Sequence, residues 1–370
     1  MAGAGRESSI VRPTDLRRRS RFVQLLAFSH STTTSPTKRR LLTISVYFLT
    51  WVLLTVLAPV WIPATFIVGV FRRSQFVLLR LLMFFWTFLG IEMIGLMLAG
   101  IIYLITPGHD QRRQTLFFEL ECWWGTSLFT SLCRFLSLTT SVEGDENVLP
   151  GHVLVFIRHA SIIDTALPVA FISNTKGLRL RYVFKRELLV DPCIDVAGHA
   201  SPNYFIDRGG SPAEELAGIR SLAVDLGDQG VLLYPEGTRF TERKKAIALK
   251  RLGKTHPDLV PLAESFKHCL PPKAGGALTL MEAAPDADVL VVAHRGLEGL
   301  AEVTDLLSGS VVGKEVQISI WRIPASEIPE GNARRLWLFE LWKRVDDFVG
   351  GDTECSVRVR DISATRAENA

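Results

Sequence analysis

Residues 156–167 read FIRHASIIDTAL, the end of an apolar run that begins at Val153. A histidine closes the run and an aspartate follows five positions later. Residues five apart lie off a common helix face and point to opposite faces of a straight strand. His159 and Asp164 therefore meet only if the chain bends between them. A strand ending at Arg158, a turn, and a helix starting near Ile163 allow it. In that geometry a carboxylate fixes the imidazole in one tautomer and leaves the other nitrogen free as a base.

Outward from this stretch the same pattern repeats. Short apolar runs, VLVFI, LRYVF, NYFI, VLLY, DVLVV and VQISIW, alternate with helical spacing from about Val142 onward. One intervening stretch, SPAEELAGIRSLAVDL, has Ser211 as N-cap, Pro212 at the first helical position and Glu214 placed to complete a capping box. RRLWLFELWKRVDDFVG reads as a closing amphipathic helix. Such alternation predicts an α/β fold with a mixed, largely parallel sheet flanked by helices.

The chain before that domain has another character. Leu41 to Val70 carries no formal charge, and Leu81 to Thr106 is interrupted by Glu92 alone. Each run exceeds the ~20 residues that cross a bilayer core, which predicts an N-terminal membrane helical hairpin. Basic residues flank both runs, so the loop is not assigned a side by charge. The hairpin either spans the bilayer or, bent at Pro59 and Pro63, lies in one leaflet. Glu92 is costly at the centre of a span, which favours the shallow arrangement or a protonated, paired carboxyl. Residues 115–140 mix charges with aromatics and read as an interfacial amphipathic segment. The expected divisions are a basic tail over 1–40, the hairpin over 41–113, the interfacial segment over 114–141, the α/β domain over 142–350 and a polar tail over 351–370.

The net charge of +4 hides an asymmetry. Residues 1–40 hold nine basic and two acidic side chains, and the rest of the chain is slightly acidic. The arm therefore suits an anionic lipid surface, and it lacks the aromatic content of a nucleic-acid-binding arm. Cys122, Cys133, Cys193, Cys269 and Cys355 are an odd, widely spaced set without a C-x-x-C pair, which argues against a disulfide framework or a zinc site and fits a reducing compartment.

Three clusters fall at the ends of predicted strands, where open α/β sheets bind ligands. They are RHASIID at 158–164, NYFIDRGG at 203–210 and YPEGTRF at 234–240. Arg208 and Arg239 on loops, one beside a glycine that frees the backbone, suit a bidentate grip on a phosphate. Lys185 and Arg186, after LRYVF, add to the same positive pocket.

H-x-S-x-x-D, then F-I-D-R, then P-E-G-T-R, in this order, resembles the signature of the glycerolipid acyltransferases, over roughly Val142 to Val349. EGTRFTERK and FKHCLPPKAGG resemble the branch with the lysocardiolipin and lysophosphatidylinositol acyltransferases. The resemblance implies transfer of a fatty acyl group from acyl-CoA or acyl carrier protein to the free hydroxyl of a lysophospholipid, with 1-acyl-glycerol-3-phosphate the first choice of acceptor. It implies His159 as general base, Asp164 as its orienting acid, and Arg208 and Arg239 on the acceptor phosphate. Glu236 and Gly237 shape that loop, Lys185 lies in the same pocket, and Ser161 and Thr238 occupy structural motif positions. Arg158 stands where the family commonly has asparagine, and either adds charge for an anionic acceptor or fills a structural slot. No cofactor or metal is implied. The expected setting is a membrane, with the catalytic domain on its cytoplasmic face.

Two other classes fit the sequence less well. A lipid-acting serine hydrolase wants a G-x-S-x-G elbow, and GHASP at 198–202 fails at its last position. A non-catalytic, membrane-anchored lipid-binding protein would not need His159, Asp164, Arg208, Glu236 and Arg239 together.

Overall fold

The structure, a computed structural model, describes residues 35–72, 75–161, 164–207, 209–298 and 307–351. The basic tail up to residue 34, Arg73, Ile163, Arg208, Cys355 and the C-terminal tail beyond Gly351 lie outside the described residues.

Seven strands form one sheet: β1 (Thr139–Glu143), β2 (Val153–Ile157), β3 (Leu180–Lys185), β4 (Tyr204–Ile206), β5 (Gly230–Leu233), β6 (Asp288–Arg295) and β7 (Glu315–Ile323). Their order is β1-β7-β6-β2-β5-β3-β4. Among the described residues only β6 and β7 pair antiparallel, and the other pairs are parallel. The fold is therefore the mixed, mostly parallel α/β sheet that the alternation predicts. All five residues of β2 are buried, as expected of a central parallel strand covered on both faces. β1, TTSVE, has no such pattern and was not anticipated. It is an edge strand with its burial confined to Ser141 and Val142.

Among the described residues, four helices come before the sheet: α1 (Pro36–Val56), α2 (Ala58–Arg72), α3 (Val77–Ile105) and α4 (Asp110–Leu136). The first apolar run is thus two helices rather than one. The break falls at Leu57, beside Pro59, which has no N–H to continue the ladder. The Leu54 carbonyl accepts instead from the Trp61 indole at 2.8 Å. α1 and α3 are long and apolar enough to cross a membrane. They meet through Trp86 Nε1, which donates to Thr55 Oγ1 at 2.9 Å, and through Tyr47 and Phe88, whose rings are 6.1 Å apart.

The stretch expected at an interface is the 27-residue α4. Its Phe129, Leu132 and Leu136 are buried in the core beneath the sheet, where Phe129 meets the Phe171 ring at 5.2 Å. Earlier in α4, Phe117 and Leu120 pack on Ala99 and Ile102 of α3. One helix thereby joins the apolar region to the α/β domain.

A second joint is α5 (Pro192–Ala197), capped by Asp191 Oδ1, which accepts from Ile194 N at 2.9 Å. Asp195, fully buried, accepts from Arg39 at 2.7 Å and Arg40 at 3.2 Å. Glu92 of α3 accepts from the Trp124 indole at 2.7 Å and from Cys193 N at 3.3 Å. The charge that interrupts the second apolar run is therefore spent on contacts inside the protein.

α6 (Pro212–Ser221) begins after Ser211 with proline at its first turn, as expected, but the capping box is not formed. Ser211 makes no side-chain cap, and Glu215 rather than Glu214 reaches back, to Asp207 N at 3.1 Å. α7 (Glu242–Thr255), α8 (Ala274–Ala283) and the closing α9 (Ala333–Gly350) complete the labelled helices.

Candidate active site

β2, β3, β5 and β6 run parallel, so the chain leaves all four at the same edge of the sheet. That edge gathers His159, Lys185, the loop 234–239 and His294. The helix after the histidine starts at Ala166, later than expected. The bend is held by Asp164. Its Oδ2 accepts from Ala160 N at 2.6 Å and Ser161 N at 2.8 Å, and its Oδ1 from Ser161 Oγ at 2.5 Å. Ser161 is thus a local hydrogen-bonder.

The same Oδ2 lies 3.0 Å from His159 Nδ1, so the anticipated pair forms. Nδ1 faces a carboxylate and so carries the proton, leaving Nε2 as the lone-pair nitrogen. Nε2 lies 3.2 Å from Lys185 Nζ. The ring stands 4.8 Å from that of Tyr234. Burial holds the His159 pKa below its ordinary value against the pull of Asp164, and the cations Lys185 and Arg239 add to the lowering. Burial opposes ionisation of Asp164, but His294, His159 and Ser161 outweigh it and hold its pKa below the usual carboxylate value. The result is a neutral imidazole backed by an anion.

Glu236 holds this edge together from below. Its Oε1 accepts from His159 N and its Oε2 from Leu270 N, both at 2.9 Å. Burial pushes its carboxyl up to about 7, against Arg158 and these two N–H groups. With both oxygens engaged and the side chain buried, Glu236 positions the histidine and does not face a ligand. Gly237 has φ +64°, and a Cβ there would sit 3.0 Å from Lys273 Nζ, so the turn favours glycine twice over. Thr238 and Arg239 follow, both half-buried, and the Arg239 carbonyl accepts from Lys244 Nζ at 3.0 Å.

Arg158 is not part of the open pocket. Only 2 % exposed, it donates to the His294 carbonyl and to Glu298 Oε1, each at 2.6 Å, and to the His268 carbonyl at 3.3 Å. Of its two anticipated uses, the structural slot is the one it fills. Arg186 pairs with Asp207 Oδ2 at 2.7 Å. Asp207 also accepts from Gly209 N at 3.0 Å.

Residues 139–294 match the acyltransferase family model. They are an acyltransferase domain. The 1-acyl-sn-glycerophosphate (LPA) acyltransferase PlsC from Thermotoga maritima has the same fold, with a TM-score of 0.53 and 17% identity over 75% of this chain and 98% of that one. No curated protein matches the sequence significantly.

Sequence reasoning missed two residues of this candidate site. His294 lies on β6 beside Asp164, with its Nε2 3.6 Å from Asp164 Oδ1. Its signal was available: VLVVAHR repeats the pattern of VLVFIRH. Asp346 of α9 accepts from Lys267, His268 and Cys269 N at 2.6–3.0 Å and anchors the FKHCLPPKAGG loop. No local pattern marks an acid in an amphipathic helix for that task.

Beside Thr165 an apolar cavity opens between the domain and α3. Gly95, Leu96, Ala99, Trp124, Val169 and Phe184 are among its walls.

Proposed function

We propose that this acyltransferase moves a fatty acyl group from a thioester, acyl-CoA or acyl carrier protein, to the free hydroxyl of a lysophospholipid, with 1-acyl-sn-glycerol-3-phosphate as acceptor and phosphatidic acid as product. The observation that carries it is the 3.0 Å pairing of His159 Nδ1 with Asp164, which leaves Nε2 as a base among cations at the sheet edge. His159 Nε2 takes the hydroxyl proton as the oxygen attacks the thioester carbonyl. The tetrahedral intermediate collapses with cleavage of the C–S bond, and the departing thiolate takes that proton from the imidazolium. Asp164 stabilises the imidazolium between the two steps. No covalent acyl-enzyme is needed.

Lys185, Arg239 and Arg208 would hold the acceptor phosphate, Lys185 turning from Nε2 to meet it. The apolar cavity suits the acyl chain, since its walls run from Thr165, the chain neighbour of Asp164, to the apolar helix α3. α1 and α3 would seat the domain on a bilayer, where the acceptor resides. The domain would then lie on the cytoplasmic face. The test is incubation of membranes carrying the protein with labelled acyl-CoA and a panel of lysophospholipids. Label should enter the matching diacyl lipid and be lost in His159→Ala. Full activity in that variant refutes the base, and preference for a lysocardiolipin or lysophosphatidylinositol acceptor replaces the first-choice substrate.

A further inference from the structure

His294 has no task in that scheme, yet it is completely buried beside Asp164 and the peptide that leads into His159. The parallel register of β2 with β6 sets Ile157 beside Val292, so His159, two residues past the end of β2, follows the same register as His294 near the end of β6. His294 Nε2 lies 3.0 Å from the carbonyl oxygen of Arg158, the residue immediately before His159. The same nitrogen is 3.6 Å from Oδ1 of Asp164, the oxygen that His159 does not use. That distance is long for a hydrogen bond but short for a dipole in a dry setting.

Both neighbours of Nε2 are acceptors, so Nε2 carries the proton. Nδ1 has no hydrogen-bond partner among the described residues, as suits a bare lone pair with no donor facing it. The ring is therefore a fixed, neutral N–H donor. The charged groups around it are Asp164, Arg158 and Glu298, and burial with Arg158 nearby keeps it from gaining a second proton.

We infer that His294 is a positioning residue for the general base. Its Nε2–H ties down the Arg158 peptide that leads into His159, and its dipole faces Asp164 Oδ1 so that Oδ2 stays turned toward His159. The inference rests on His159 being the base. A loosened Arg158 carbonyl moves the imidazole off line while leaving Lys185, Arg239 and the acyl cavity in place. Turnover then suffers and binding does not.

The test compares His294→Gln with His294→Met, side chains of nearly equal length of which only glutamine has an N–H. His294→Phe adds a variant that keeps the ring and loses the donor. Acyl transfer is measured with the full chain in detergent–phospholipid micelles. His294→Met and His294→Phe should lose roughly 10- to 100-fold in kcat with acceptor and donor KM unchanged. His294→Gln should recover most of that loss. Equal kcat in the glutamine and methionine variants overturns the inference, as does a phenylalanine variant with full activity, because either assigns the residue to packing. Loss of the fold in both the glutamine and methionine variants overturns it too. His159→Ala, measured alongside, separates the cases: activity there refutes the base itself, whatever His294 does.

Discussion

The Lys185 ammonium lies 3.2 Å from Nε2 of His159 while Nδ1 of the same ring faces Asp164 at 3.0 Å. The imidazole is thus held between a cation and an anion, and the two act on its pKa in opposite directions. Burial, Lys185 and Arg239 prevail, and His159 titrates below its ordinary value. The proposed base is therefore neutral at pH 7, and activity should fall only as the pH drops through that lowered value. Lys185→Met removes one lowering influence, so the acidic limb of its kcat/KM profile should move to higher pH. A pH–rate series on both proteins checks it, and an unmoved limb denies Lys185 any influence on the base.

Asp164 accepts four hydrogen bonds at once, two from backbone N–H groups. Asp164→Asn replaces an acceptor-only oxygen with an amide donor on one side. The loss of kcat should be about 100- to 10,000-fold, in the range of a disabled general base. Single-turnover acyl transfer reads this directly.

Glu236→Gln keeps the shape but turns an NH2 toward either His159 N or Leu270 N. One buried N–H then faces a donor. A stability loss of about 1–3 kcal/mol is expected, together with lower activity. Thermal unfolding in detergent measures it; an unchanged melting temperature contradicts the supporting role given to Glu236.

Asp195 joins the head of α1 to the domain through Arg39 and Arg40. Both arginines are partly exposed and recover hydration when released, so Asp195→Ala should cost roughly 1.5–3 kcal/mol. Limited proteolysis should then cut more readily near residues 36–40. An unchanged cleavage pattern would show that the joint does not hold α1.

Ala99 of α3 faces the apolar cavity and is itself buried. Ala99→Leu fills part of that space. In a competition among acyl-CoAs of different length, preference should shift toward shorter chains. The same chain-length profile in both proteins would place the acyl group elsewhere.

The buried strands were legible because a parallel strand covered on both faces is apolar along its whole length, as VLVFI is. β1 was not, since TTSVE at an edge buries two residues of five. α4 was read as interfacial from its mixture of charges and aromatics. Its inner face also has a protein partner: a Cβ on Gly125 would lie 2.5 Å from Val169 Cγ1, so the helix sits close against the domain. That proximity is a property of two surfaces, and one segment's periodicity carries only its own.

The order of the motifs and their places at strand ends were determined by the sequence alone, because turn chemistry and apolar run length are local. It also placed His159 and Asp164 together, since a single bend between neighbours suffices. That Arg158 turns away from the pocket was decided by tertiary structure. Arg158 adjoins the base in the chain, but its guanidinium is drawn inward by the His294 carbonyl, 136 residues away. Tertiary structure also set His294 beside Asp164, because parallel pairing aligns residues that no local pattern connects.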